Sequence, residues 1–244
     1  MKIESFGASD VGLIRLNNED VWAQIPTLKC FLLADGMGGH RAGEVAASET
    51  ILYLCRKIKE TAKRAPSLDE WPEIIRHCIQ KANEWVYNLA ITDKDKEGMG
   101  TTLCLALQLD HTLLYAHVGD SRIYRIRKGR ITPLTRDHSL RSDLIAKGEL
   151  DEALAPSFPL KNVITRAIGT QKMVTPEIKT CPVESEDLFL LCSDGLTDPL
   201  GDEMILATIE ENETLEEMTN DLIFKAKTSG GDDNITLVFF RVTD

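Results

Sequence analysis

Two short apolar runs constrain the architecture of this chain more than any other feature. Lys29-Cys-Phe-Leu-Leu-Ala34 and Asp187-Leu-Phe-Leu-Leu-Cys192 are too brief for ordinary helices and too apolar for a surface, so they read as buried strands. Each runs into the same signal, Asp35-Gly36 and Ser193-Asp194-Gly195. A buried strand that ends on an acid and then a glycine sets a carboxylate at a sheet edge. The glycine is expected to turn the backbone sharply there, and to expose a carbonyl oxygen as a further hard ligand.

The rest of the chain supplies elements to pack around such strands. Ala47, Ile51, Leu54, Ile58 and Ala62 recur at three- and four-residue steps, and so do Trp71, Ile74, Cys78, Ala82, Val86 and Leu89. These spacings predict two amphipathic helices of roughly 20 residues on either side of Pro66. Segments 101–109, 112–119, 121–127 and 130–134, parted by turn signals at Asp110-His111 and Lys128-Gly129, predict an antiparallel meander. From Asp137 to Gly169 the apolar pattern thins, and Pro156 and Pro159 interrupt it after a short helical stretch near 140–147, so this segment is expected to be a surface flap. Two helical patterns follow, at about 201–211 and 214–228, and a strand from Ile235 to Val242 closes the chain. Strand clusters at both ends, with helices in pairs, predict an α+β fold: antiparallel sheets packed together with helices outside, not alternating βαβ units. Residues 1–244 are expected to form one domain.

Composition removes several classes of function. With 39 acidic and 28 basic residues the formal charge is −11, so the surface repels nucleic acid and anionic lipid. No apolar run approaches the ~20 residues that span a bilayer, and the N-terminus lacks the order of a signal peptide. The chain is therefore expected to be cytoplasmic, with neither nucleic acid nor membrane as partner; no oligomerisation signal stands out, and a monomer is expected. The six cysteines form no C-x-x-C pair and read as reduced core thiols.

The chemistry lies in the acids. Asp35, Asp194 and Asp233 each stand at the end of a strand or just before one, and Asp120, after Ala116-His-Val-Gly119, has the same form. One Asp-Gly is an ordinary turn. Four such aspartates gathered in one cleft offer oxygen-only ligands suited to Mg²⁺ or Mn²⁺, while the lack of spaced His and Cys ligands argues against zinc. Three directly ligating carboxylates against two divalent ions leave about one positive charge, fit for a phosphate dianion. Arg15-Leu-Asn-Asn-Glu19-Asp20 adds two acids and a guanidinium, whose planar fork grips phosphate as a lysine does not.

These segments form a series. Arg15-x-x-Asn-Glu19-Asp20, Asp35-Gly-Met-Gly-Gly-His40, Met99-Gly-Thr-Thr102, Gly119-Asp-Ser-Arg122, Asn162-Val-Ile-Thr-Arg-Ala-Ile-Gly169, Ser193-Asp-Gly195 and Asp233-Asn-Ile-Thr236 resemble, in order, the motifs of bacterial type-2C (PPM) Ser/Thr protein phosphatases. The likeness runs from about residue 5 to 242.

The resemblance implies a β-sandwich flanked by helices with a metal site at one edge, holding two or three Mn²⁺ or Mg²⁺ ions. It implies that Asp35 bridges two ions and that the Gly36 carbonyl binds one of them. Asp194 and Asp233 bind the other, Glu19 and Asp20 act through metal-bound water, and Asp120 with Asp194 forms a third, weaker position. Arg15 would bind the substrate phosphate. The implied reaction is hydrolysis of phosphoserine or phosphothreonine in proteins by water activated between the ions, opposing a Ser/Thr protein kinase. The alternatives are an anti-sigma-antagonist-like phosphoprotein or a small phosphoester as substrate, or a phosphopeptide-binding regulator without turnover. Met37 stands where many eukaryotic members carry a His, and His40 is expected to make a structural hydrogen bond at its turn. Ser193 is expected to orient the aspartate that follows it, and neither His117 nor His138 is given a catalytic role.

Overall fold

The computed structural model describes residues 1–38, 42–151, 154, 158–160 and 163–244. Among these, eleven strands make two antiparallel sheets. The first sheet is ordered β1 (Lys2–Asp10), β11 (Ile235–Thr243), β10 (Leu188–Cys192), β7 (Arg122–Arg127) and β8 (Arg130–Pro133). The second is ordered β2 (Asp20–Ile25), β3 (Cys30–Met37), β5 (Leu103–Leu109), β6 (Thr112–Val118) and β9 (Glu177–Pro182), with β4 (Gly100–Thr101) pairing the end of β3. Helices α1 (Ala42–Ala62) and α2 (Trp71–Thr92) cover the second sheet. The first is covered by α4 (Asp194–Thr197), α5 (Asp202–Glu210) and α6 (Leu215–Thr228). No described helix is long and apolar enough to cross a membrane.

The strand sequences account for this sandwich. On β3, Cys30, Leu32 and Ala34 pack toward the α1–α2 layer, while Phe31 and Leu33 face the other sheet. On β11, Ile235, Leu237 and Phe239 join the α4–α6 layer, while Val238, Phe240 and Val242 face inward. Both faces are buried, so these strands read as continuous apolar runs rather than alternating ones. Phe31 and Phe240 stack at 4.4 Å between the sheets, with Phe189 at 4.8 Å from Phe240. The last helix is set by its ends: Thr214 and Glu217 form a capping box, and Lys225 and Lys227 lie in the final turn, each favourable to the helix dipole.

The predicted meander is corrected. Strands β5 and β6 pair, as do β7 and β8, but β6 and β7 lie in different sheets. The chain changes sheets at Gly119, whose φ of +103° is a conformation that glycine adopts without penalty. This crossing carries Asp120 to the seam between the sheets.

The segment after β8 is rooted in the core. Asp137 makes two bonds to Arg122 (2.8 and 2.7 Å), the His138 N–H donates to the Gly119 carbonyl (2.9 Å), and Ser139 bridges Ile164. Beyond this root α3 (Leu140–Ala146) has no buried residue. On the return the chain exchanges two bonds between Ile168 and Thr101.

Candidate metal centre

The acids meet where the two sheets' ends come together. Asp20 and Asp35 are direct cross-strand partners on β2 and β3. Asp194 opens α4 immediately after β10, and Asp233 stands two residues before β11. Asp194, Asp233, Asp20 and Asp120 all bear electrostatically on Asp35. Each aspartate named from the sequence thus belongs to one cluster, drawn from both sheets.

One glycine does a different job from the one expected. Asp35 and Gly36 are not past the end of their strand, because β3 continues to Met37 and Gly36 pairs with Thr101. Gly36 is needed for close approach: a Cβ there would lie 2.3 Å from the Gly43 carbonyl oxygen of α1 and 2.7 Å from that of Glu19. Gly195, in the turn from β10 into α4, also allows a close approach, with the Asn234 carbonyl oxygen 2.0 Å from where its Cβ would be. Helix, loop and strand are thereby pressed together around the carboxylates.

A buried polar frame holds the acids in place. Asp35 is fixed by its backbone: its N–H donates to Thr102 Oγ1 (3.0 Å), and its carbonyl accepts from the Thr102 N–H and Thr101 Oγ1 (both 2.8 Å). Ser193 Oγ donates to Asp20 Oδ2 (2.8 Å) and accepts from the Thr236 N–H (3.0 Å). Ser193 therefore orients Asp20, not the adjacent Asp194, because β10 and β11 deliver its hydroxyl toward β2. Asn234 is the residue that sequence reasoning passed over. Its amide accepts from the Glu19 N–H (2.8 Å) and donates to the carbonyls of Val11 and Asn17 (both 3.0 Å). The only sequence signal for it was its place in the Asp233-Asn-Ile-Thr236 motif.

Burial makes this cluster costly in the absence of cations. The Asp20 carboxyl is pushed up to about 7, first by burial and then by Asp194 and Asp233. Asp120 is pushed up to about 8 by burial, Asp194 and Asp137, and Asp194 to about 6 by burial, Asp233 and Asp198. Asp35 is raised as well, by burial and all four acid neighbours. Asp20 Oδ1, Asp120 Oδ1 and Asp194 Oδ1 are buried with no hydrogen-bond partner. Orphaned, mutually repelling carboxylate oxygens fit a set of hard divalent cations.

Arg15 lies at the rim, half exposed, with Nη2 2.7 Å from Asp233 Oδ2. The expected bond of His40 falls outside the described residues. His117 and His138 stack with ring centroids 4.4 Å apart, and Glu177 lies 3.5 Å from His138 Nε2. His138 Nδ1 accepts the Gly119 N–H (3.2 Å), and its Nε2 lies 3.3 Å from Arg166 Nη1. His117 Nε2 meets the Arg136 carbonyl (2.8 Å). This pair braces the sheet crossing.

Known proteins place this geometry. The family model described as "Protein phosphatase 2C" matches residues 15–227. The serine/threonine phosphatase stp of Listeria monocytogenes is 36% identical over 235 residues, covering 94% of this chain and 92% of that one. The Mycobacterium tuberculosis serine/threonine phosphatase PstP/Ppp superposes with a TM-score of 0.92 at 33% identity, with all of both chains covered. A second structure, the catalytic domain of PstP in complex with two manganese ions, gives a TM-score of 0.87 at 34% identity over 99% of each chain. The family match takes in Arg15, Asp20, Asp35, Asp120 and Asp194, and the structural likeness extends over the whole length; this chain belongs to the protein phosphatase 2C family.

Proposed function

We infer that the protein is a metal-dependent phosphatase that hydrolyses phosphoserine and phosphothreonine in proteins, opposing a Ser/Thr protein kinase in the cytoplasm as a monomer. The observation that carries this reading is the group of buried aspartates with orphaned oxygens beside an exposed arginine. There, Asp35, the Gly36 carbonyl, Asp194 and Asp233 would hold two divalent cations, Glu19 and Asp20 would act through water, and Asp120 would contribute to a third position. Bound there, Mn²⁺ or Mg²⁺ supplies Lewis-acid charge and lowers the pKa of water toward neutrality. Manganese in the related PstP domain supports that choice of ion.

The chain's own residues supply position and charge. Asp35 is locked by the Thr101 and Thr102 bonds to its backbone, and Ser193 fixes the orientation of Asp20, so neither acid reorganises when substrate arrives. No side chain offers itself as a nucleophile among the described residues. Ser193 is fully buried with its hydroxyl committed to Asp20, and burial pushes the Cys30, Cys104 and Cys192 thiols up, away from reactive thiolate. Direct attack by water follows. The test is metal-dependent phosphate release from a phosphothreonine peptide set beside a phosphotyrosine peptide; equal rates on both would overturn the substrate assignment.

Arg15 binds the substrate phosphate. Its ion pair with Asp233 is half exposed and worth about 0–1 kcal/mol, so the guanidinium turns to a phosphate at little cost. Arg15→Lys keeps the charge but loses the fork, and kcat/KM is expected to fall on the order of 10–100-fold. Calorimetric Mn²⁺ affinity should stay nearly unchanged. A large loss of metal binding with phosphate binding intact would contradict this role.

The flap, about 137–169, selects protein substrates without supplying chemistry. The lack of buried residues in α3 supports this, since loops held beside a rigid site commonly carry specificity. Replacing 150–160 by a Gly/Ser linker should lower kcat/KM for a phosphoprotein far more than for an aryl phosphate. An unchanged ratio of the two in a folded, metal-loaded variant would move that role elsewhere.

A further inference from the structure

We propose that the loop Val11–Leu16, on either side of Arg15, is a substrate-docking rim that selects phosphorylated segments with apolar residues flanking the phosphoresidue. This rests on the phosphoprotein phosphatase reading above. Four of these six residues are apolar and exposed: Val11 at 37%, Leu13 at 60%, Ile14 at 67% and Leu16 at 100%. Single exposed apolar side chains are ordinary on any protein surface. Four in one short loop are not, above all when Leu16 and Ile14 are the immediate neighbours of the arginine that faces the acidic centre.

The loop is held, which separates it from a frayed connection. Its Gly12 N–H donates to Asp10 Oδ1 and its Leu13 N–H to the Gly231 carbonyl, both at 2.8 Å. The Asn234 amide bonds both the Val11 and Asn17 carbonyls, and Asn18 Nδ2 donates to Ser9 Oγ (2.7 Å). Gly12 has φ +78°, and a Cβ there would lie 2.2 Å from the Asp233 carbonyl oxygen. Asn234 also bonds the Glu19 N–H. One side chain therefore ties the rim to the acids, and the loop backbone is held in register with the centre, which lowers the ordering cost on binding.

The occupant follows from continuity with the phosphate site. A phosphate on Arg15 brings the polypeptide that carries it over Ile14 and Leu16, since one extended residue advances the chain by only about 3.5 Å. Beside the rim a cavity of about 410 Å³, lined by Arg15, Asp194, Asp198, Pro199, Gly231 and Asp233 among others, gives that polypeptide an exit. An apolar residue next to the phosphoresidue removes the exposed Leu16 and Ile14 surfaces from water. A charged or polar one leaves them wet.

The test uses the Mn²⁺-loaded full chain and matched phosphothreonine peptides with Leu or with Ser on both sides of the phosphoresidue. Wild type is expected to prefer the Leu peptide about tenfold in kcat/KM, the effect of partly burying one or two aliphatic side chains. The double variant Ile14→Ser with Leu16→Ser should reduce that preference below about twofold, with aryl phosphate hydrolysis within about twofold of wild type and Tm unchanged, because both side chains are exposed. Absence of a preference in wild type, or its persistence in the double variant, would overturn the proposal. So would a wild-type dimer that the variant dissolves without altering peptide preference, which would make the loop a self-association surface. Should neither peptide nor aryl phosphate be hydrolysed with Mn²⁺, the underlying phosphatase reading fails instead, and the proposal with it.

Discussion

Asp35→Asn is expected to lower kcat/KM on the order of 10³-fold while making the metal-free protein more stable than wild type. On the proposed ligand role of Asp35, the catalytic loss comes from removing one charge from a preorganised site, worth about 4 kcal/mol of transition-state stabilisation. The gain in stability has the same origin. Asp35 stands among four other aspartates, and desolvation together with all four raises its pKa, so in chelator its charge is a liability and a neutral isostere relieves it. The backbone bonds from Thr101 and Thr102 do not involve the Asp35 carboxylate, so the amide should keep its place. Asp194→Asn and Asp233→Asn should also remove most activity, and Asp120→Asn should lower turnover less. The measurements are steady-state rates on an aryl phosphate and thermal melts in chelator. Near-normal rates for Asp35→Asn at ordinary Mn²⁺ would show the centre to be misplaced, and a lower melting temperature in chelator would show that its carboxylate has a structural partner.

Much of the centre was legible in the sequence because it is built at strand ends. An apolar run that breaks at an acid is a local pattern, and Asp35, Asp194, Asp233 and Asp120 can each be found within a few residues of one. The helices over 42–62 and 71–92 were legible for the same reason, since apolar residues at three- and four-residue steps face a single sheet. What escaped depends on distant chain segments. Neither the Gly36 approach to Gly43 nor the Gly195 approach to Asn234 leaves a local trace that differs from an Asp-Gly turn. The partner of Ser193 is Asp20, 173 positions away, and local spacing instead suggested its neighbour Asp194. The four strands between 101 and 134 read as one meander because hairpin signals do not reveal which sheet receives a strand. Only the positive φ at Gly119, between a buried Val118 and a buried Asp120, marks the crossing that brings the third acid to the seam.

The same acids make metal removal the second large effect, on activity and on stability together. Chelation is expected to abolish hydrolysis, with recovery on adding Mn²⁺ or Mg²⁺; persistent activity, or a trapped phosphoenzyme, would sink direct attack by water. Stability should then depend on pH in a direction unusual for carboxylates. A carboxyl with a higher pKa folded than unfolded keeps its proton in the folded chain at pH values where the unfolded chain has lost it. Folding is therefore favoured at low pH and penalised progressively as pH rises from the unfolded value of 3.8 through about 6 for Asp194, about 7 for Asp20 and about 8 for Asp120. With metal removed, Tm should fall between pH 5 and pH 8 by on the order of 10 °C, matching a few kcal/mol in a chain of this size. Divalent cations reverse the penalty, because they bind the deprotonated acids and stabilise only the folded chain. Millimolar Mn²⁺ should thus raise Tm strongly at pH 8 and little at pH 5, where protons compete for the same oxygens. Asp35→Asn should flatten the metal-free profile by removing one of the coupled charges. A metal-free Tm that stays level or rises from pH 5 to pH 8 would mean that the buried acids are neutralised by some partner within the chain, and the case for cations at this seam would lose its main physical support.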